Sequence, residues 1–276
     1  MMRCAFCATL ALALLIAAPA GAGEWLEDPI TGCQIWNEEP VDGVEVASWS
    51  GDCENGQASG TGVLSWFHDG NLLARYEGSM TGGKVDGLGT LYYLADDGSG
   101  YDRYDAEFEA GEFEGHVVLL GANGERFEGE MVASVIEGYG SFSDNDGNRY
   151  DGEFVNGLPE GEGFSETADG EFYNGAFKAG KRHGEGVLID ELGDRYEGTF
   201  VDGFLEGWAS AEGGDGTRYG GQYQAGKPHG PGLFVDSNGD VYEGQFLDGQ
   251  VDGKVVLIKA DGERVEQVWK NGEQVK

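Results

Sequence analysis

At 276 residues with 51 Gly and only 6 Pro, the chain carries glycine well above the average usage of about 7 %, without the proline of collagen or of a disordered linker. Aromatic residues at 12 % supply the apolar surface that disordered chains lack. Lys and Arg total 17 against 51 Asp and Glu, a formal charge of −34; that field repels phosphate backbones and anionic headgroups, which excludes nucleic acid as a partner and disfavours an acidic membrane surface.

Residues 1–22 read as a secretory signal peptide. Met1-Met2-Arg3 is the charged start, Cys4 to Ala18 the apolar run, and Ala18-Pro19-Ala20 the small-residue cleavage pattern. The run is shorter than the roughly 20 residues of a membrane span, so the chain is expected to be exported, to a periplasm or beyond the cell. Cleavage leaves Cys33 and Cys53, and an even pair in an exported chain predicts a disulfide. Closing a loop of that length is worth about 3 kcal/mol in the chain-entropy picture. Residues 23–48 are expected to form a cap that this bond pins to the first repeat.

Residues 49–264 form a repeat array. Aromatic residues stand at Tyr104, Phe127, Tyr150, Tyr173, Tyr196, Tyr219 and Tyr242, each 23 positions after the last. Two longer units precede them, opening at Trp49 and Tyr76, and residues 265–276 begin one more. Within a unit an aromatic, a glycine and a second aromatic alternate: Tyr150-Gly152-Phe154, Tyr173-Gly175-Phe177, Tyr196-Gly198-Phe200, Tyr219-Gly221-Tyr223 and Tyr242-Gly244-Phe246. A period of two puts all three on one face of a strand and the intervening polar residues on the other.

A second strand starts at each Gly-x-Gly pair, such as Gly138/Gly140, Gly161/Gly163, Gly184/Gly186 and Gly230/Gly232. The expected pairing sets the second aromatic opposite the first of these glycines, with its ring over bare backbone. Asn123-Gly124, Asp146-Gly147, Asp169-Gly170, Asp215-Gly216, Asn238-Gly239 and Asp261-Gly262 are expected to form two-residue type I′ turns between repeats, with Leu192-Gly193 as the exception. That register throws the next tyrosine onto the opposite face, so each repeat must contain a bulge or an odd-length loop, at a position the pattern leaves open. The fold class is all-β: an elongated, single-layer, right-handedly twisted antiparallel meander of hairpin repeats. The segment from Trp25 to Ser48 caps one edge, and Lys259, Lys270 and Lys276 blunt the other.

Tyr196-Glu197-Gly198-Thr199-Phe200-Val201-Asp202-Gly203 and Tyr242-Glu243-Gly244-Gln245-Phe246-Leu247-Asp248-Gly249 resemble the opening of a MORN repeat, and Lys181-Arg182-His183-Gly184-Glu185-Gly186 resembles its middle. The resemblance runs from Trp49 to about Arg264. It departs at Ala106, Val117, Ala209 and Val255, where glycine is expected. It implies hairpin ladders used for protein association or membrane-proximal scaffolding, and no reaction.

No motif for chemistry fits the sequence. The Gly-x-Gly pairs run into strands rather than the helix N-terminus that a phosphate loop needs. Asp144 to Gly147 and Asp236 to Asp240 fail the calcium-loop count, because position one falls on Phe142 or Phe234; weak cation binding to the clustered carboxylates is the residual expectation. His183 and His229 sit just before a glycine two units apart, too far to share a metal, and His68 and His116 have no evident ligand company. No catalytic motif appears and no cofactor is expected. The reading is a non-enzymatic exported scaffold whose partner is a protein; the alternatives are a cell-wall or glycan-binding module, with sugars stacked on the aromatic rows, and then a peripheral lipid-binding one.

Overall fold

The computed structural model describes residues 23–38, 40, 43–95, 98 and 100–275; the expected signal peptide lies outside the described residues. These contain strands and turns and no helix. The chain divides into two compact units, one ending at Leu158 and the other beginning at Pro159.

The first unit holds β1 (Glu24–Glu27), β2 (Gln34–Asn37), β3 (Glu45–Trp49), β4 (Asp52–Glu54), β5 (Gln57–His68), β6 (Asn71–Thr81), β7 (Lys84–Leu94), β8 (Tyr101–Glu109), β9 (Glu112–Leu120), β10 (Arg126–Val132), β11 (Val135–Ser143) and β12 (Arg149–Val155). From β5 onward each strand pairs antiparallel with the next. The edge of β5 is covered by β4 along its start and by β3 along its end. The β1–β2 hairpin touches the same strand in parallel at Gln34 and Gln57.

Cys33 and Cys53 form a disulfide with their Cα atoms 5.8 Å apart. Asp28, only 1 % exposed, fixes the segment from inside: its carboxylate accepts N–H bonds from Trp49 at 2.8 Å and from Ile30 at 2.8 Å. Burial pushes this carboxyl up, but the backbone bonds, led by that from Trp49, outweigh it and hold it below the usual range.

The second unit continues with β13 (Leu158–Glu166), β14 (Phe172–Lys178), β15 (Lys181–Ile189), β16 (Arg195–Val201), β17 (Phe204–Glu212), β18 (Arg218–Gln224), β19 (Lys227–Val235), β20 (Val241–Leu247), β21 (Gln250–Ile258), β22 (Arg264–Lys270) and β23 (Glu273–Gln274). It too is an antiparallel meander.

The pairings correct two expectations. Within the β14–β15 hairpin Gly175 pairs with Gly186, the second glycine of its Gly-x-Gly pair, and Phe177 pairs with Arg182. The first glycine, Gly184, pairs with Phe200 of the following repeat instead. The same holds at Gly138 with Phe154, Gly207 with Tyr223 and Gly230 with Phe246. The reason is the bulge, which lies inside the repeat: β15 places three residues between Arg182 and Gly186 where β14 has only Ala176 between Phe177 and Gly175. Gly184 takes up the excess at φ +65°, a left-handed conformation that disfavours any Cβ.

The second correction concerns the turns. The two-residue type I′ turn, with positive φ at both central residues, lies within each repeat: Ala179 at 48° and Gly180 at 76°, Asp202 at 49° and Gly203 at 93°. Asp69-Gly70, between the first two repeats, forms the same turn, but the later loops between repeats are longer. Asp144 to Asn148 separates the paired Ser143 and Arg149, closed by Asp144 N–H to Asn148 O at 3.0 Å and Gly147 N–H to Asp144 O at 3.3 Å. Here glycine supplies the left-handed residue after an ordinary turn, and the Asp144 side chain accepts the N–H groups of Asp146, Gly147 and Asn148. The odd-length loop keeps Tyr150 on the face of Phe142, its cross-strand partner.

Candidate functional site

The strand alternation gives each unit two unlike faces. One is a ring face. Tyr173 is fully buried, with its ring along the Gly175–Gly186 pair; a Cβ built on Gly186 would lie 2.6 Å from Cζ of that ring. Its hydroxyl donates to Ala176 O at 3.0 Å, and Ala176 is the residue the bulge leaves without a partner on β15. Tyr76 bonds Ser79 O at 3.0 Å and Tyr219 bonds Gln222 O at 3.1 Å at the equivalent bulges. Burial pushes the Tyr173 phenol up to about 12, with the Arg182 guanidinium pulling the other way. Phe177 of the same repeat and Phe200 of the next pack edge-on to Tyr173 at 5.1 and 5.2 Å.

Glycine decides whether a ring is covered. Trp49, Tyr76, Phe127, Tyr150, Tyr173 and Tyr219, whose hairpins keep the second glycine, are all buried. Tyr104, Tyr196 and Tyr242, whose hairpins carry Val117, Ala209 and Val255 in place of the second glycine, opposite Ala106, Gly198 and Gly244, are only half-buried. The added side chain occupies the place over the strand where the ring would lie.

The opposite, open face is laid out in two rows. In the first, an arginine before five of the repeat aromatics pairs with the acid two residues on: Arg103 with Asp105 at 2.9 Å, Arg149 with Asp151 at 2.6 Å, Arg195 with Glu197 at 2.8 Å, and likewise Arg126 with Glu128 and Arg75 with Glu77. The second row holds the middle residue of each Gly-x-Gly and the residue opposite it. In the first unit these are Thr61 with Ser79, Leu88 with Glu107, His116 with Glu130 and Tyr139 with Glu153. In the second they are Glu162 with Ala176, Glu185 with Thr199, Trp208 with Gln222, Pro231 with Gln245 and Lys254 with Val268. Leu88 is 75 % exposed, and Tyr139 and Trp208 are each 65 % exposed.

The turn tips stitch successive repeats, a feature the sequence reading missed. The N–H of Ala179 donates to Glu160 at 2.8 Å and that of Gly180 to Pro159 O at 2.9 Å. Glu114, Glu137, Glu206 and Asp252 accept in the same way from Ala133, Asn156, Ala225 and Asn271. The recurring acid before each Gly-x-Gly was the available signal. His183 and His229 take that place in two repeats, and there the next turn opens on an acid, Asp202 or Asp248. His229 Nδ1 lies 3.8 Å from Asp248 Oδ1.

Among the described residues no group of three His, Cys, Asp or Glu side chains could hold a metal ion. The turn carboxylates are occupied by backbone N–H groups, as at Asp190 and Asp236. A depression of about 540 Å³ beside the last hairpin is lined by Lys270, Asn271, Glu273, Gln274 and Val275, none of them set opposite another for acid–base or nucleophilic work.

The pattern described as the MORN repeat matches residues 76–93, 127–149, 150–172, 173–194, 196–207, 219–241 and 242–264, over half of the chain. The chain belongs to the MORN repeat family. The matched MORN segments open on the covered or half-covered rings, and the unit opening at Tyr104, with Ala106 and Val117 in place of glycines, is not among them. No curated protein matches the chain. Among solved structures it is similar to the TCP domain of SAS-4 (dCPAP) of Drosophila melanogaster in complex with a proline-rich motif of Ana2 (dSTIL), at 12 % identity over 67 % of this chain and 86 % of that one, TM-score 0.32. It is also similar to a point mutant of the TCP10 domain of Danio rerio CPAP, at 14 % identity over 71 % and 94 % of the two chains, TM-score 0.23. At these scores neither likeness bears on function.

Proposed function

We propose that this MORN protein is an exported, non-enzymatic scaffold that binds a protein through the open face of its repeats. The observation that carries the reading is the asymmetry of the faces. One is sealed by the protein's own rings, while the other exposes Leu88, Tyr139 and Trp208 at one register position. Large apolar groups held in water on a rigid sheet are the common starting point of a protein interface. Export is supported by the pattern of residues 1–22 and by a disulfide that needs an oxidising compartment to persist. Stacking of sugars on the aromatic rows loses its basis, because Tyr150 and Tyr173 are at most 1 % exposed. Lipid binding is opposed by the charge of −34.

The test is retention of envelope proteins on immobilised residues 23–276, compared with a chain carrying L88S, Y139S and W208S. The reading expects specific proteins that the variant fails to retain while keeping its strand circular dichroism. Equal retention by both chains, or turnover of a substrate by the purified protein, contradicts it.

A further inference from the structure

Resting on that reading, the geometry points to a more particular occupant: we propose that the open face of the first unit docks an extended cationic segment of a protein, with Leu88 and Tyr139 taking its apolar side chains and Glu107, Glu130 and Glu153 its Lys or Arg heads.

Charge complementarity chooses the occupant. In the first row of this face each carboxylate is neutralised by its own arginine, as Asp105 is by Arg103 and Asp151 by Arg149. In the second row Glu107, Glu130 and Glu153 stand directly beside Leu88, His116 and Tyr139, and among the described residues no lysine or arginine forms an ion pair with them. A carboxylate next to an exposed aromatic or aliphatic group, with no cation of its own, matches a side chain with an apolar stem and a charged head. The second unit has neutral Ala176, Thr199, Gln222 and Gln245 at the corresponding positions, so Trp208 there lacks this charge and the proposal is confined to the first unit.

Spacing narrows it further. The three glutamates lie on β8, β10 and β12, every second strand, hence about 10 Å apart at roughly 4.8 Å per strand. An extended segment in the polyproline II conformation rises about 3.1 Å per residue and returns to the same facing every third residue, so a cation at every third position meets each glutamate in turn.

The probe is a fluorescein-labelled peptide of four Arg-Leu-Ser triplets, titrated by anisotropy into residues 23–276 at 50 and 200 mM salt. The proposal expects saturable binding that weakens with salt, and weakens about tenfold in E107Q/E130Q/E153Q and in L88S/Y139S. A chain with D169N, E191Q and E212Q loses the same charge from acids elsewhere and is expected to bind within about twofold of the parent. A peptide with Gln for Arg is expected not to bind. Equal weakening in the control triple, equal binding of the Gln peptide, or no saturable binding by the parent each overturns the proposal. If the peptide fails while L88S/Y139S/W208S still loses envelope proteins, the cationic occupant is wrong and the scaffold reading stands.

Discussion

Residues set the rule by which each repeat closes. A strand pair in a single-layer sheet has no second layer to bury its side chains, so the tyrosine buries itself on the backbone of two paired glycines. Gly186→Ala puts a methyl into the Tyr173 ring and is expected to cost about 1–3 kcal/mol, as overpacking does, read as a lower midpoint in urea. A change of midpoint no larger than that of Gly220→Ala, where a Cβ meets nothing within 4 Å, counts against the ring contact. Buried and half-buried phenols also give alkaline sensitivity. Their protons are held more tightly in the fold, up to about 12 at Tyr173, Tyr196 and Tyr219, than in the unfolded chain near 10. Stability is therefore complete below pH 10 and is expected to fall as pH rises from there toward 12. Asp28 works in the other direction, because its carboxyl is held low by the N–H groups it accepts. Its contribution is present above pH 4 and is lost as pH falls through its folded value, and Asp28→Asn is expected to abolish that acid-dependent part of the loss. An unchanged acid limb in the variant excludes Asp28 as its source.

Hairpins and turns are where the sequence was only partly legible. The 23-residue period, the single face of Tyr150, Gly152 and Phe154, and the need for a bulge could all be read from residue types. The pairings could not, because Asn156-Gly157 and Asp169-Gly170 look alike in composition yet form different turns. Their contexts separate them. Asn156-Gly157 sits between the apolar Val155 and Leu158, whereas Asp169-Gly170 follows Thr167, whose N–H bonds Glu171 O at 2.8 Å to close a five-residue loop. Once the type I′ turn is placed inside the repeat, the register slides and the bulge falls at Gly184. In most repeats the residue before that glycine is an acid, as Glu160 is before Gly161, and it is then free to bond the next tip. Glu160→Ala removes the acceptor of Ala179 N–H and is expected to cost about 0.5–1.5 kcal/mol, with faster hydrogen exchange at that amide. Unchanged exchange at Ala179 contradicts the stitch.

For the molecule as a whole, repetition means that stability is built from like pieces joined to their neighbours. Removing residues 173–195, one period, joins Phe172 to Tyr196 in register and is expected to leave a folded chain that unfolds cooperatively at lower denaturant. Removing half a period, residues 173–184, sets strands of the wrong face together and is expected to prevent folding. The same organisation leaves one face of each unit sealed and the other available, and the functional reading follows from that division. Which tyrosines belong to which side is open to chemical modification. Tetranitromethane nitration of residues 23–276, mapped by mass spectrometry over time, is expected to mark Tyr139 first, Tyr104, Tyr196 and Tyr242 more slowly, and Tyr76, Tyr150 and Tyr173 only when the chain unfolds. Nitration of Tyr150 and Tyr173 in the native protein as fast as Tyr139 would contradict the account at its root.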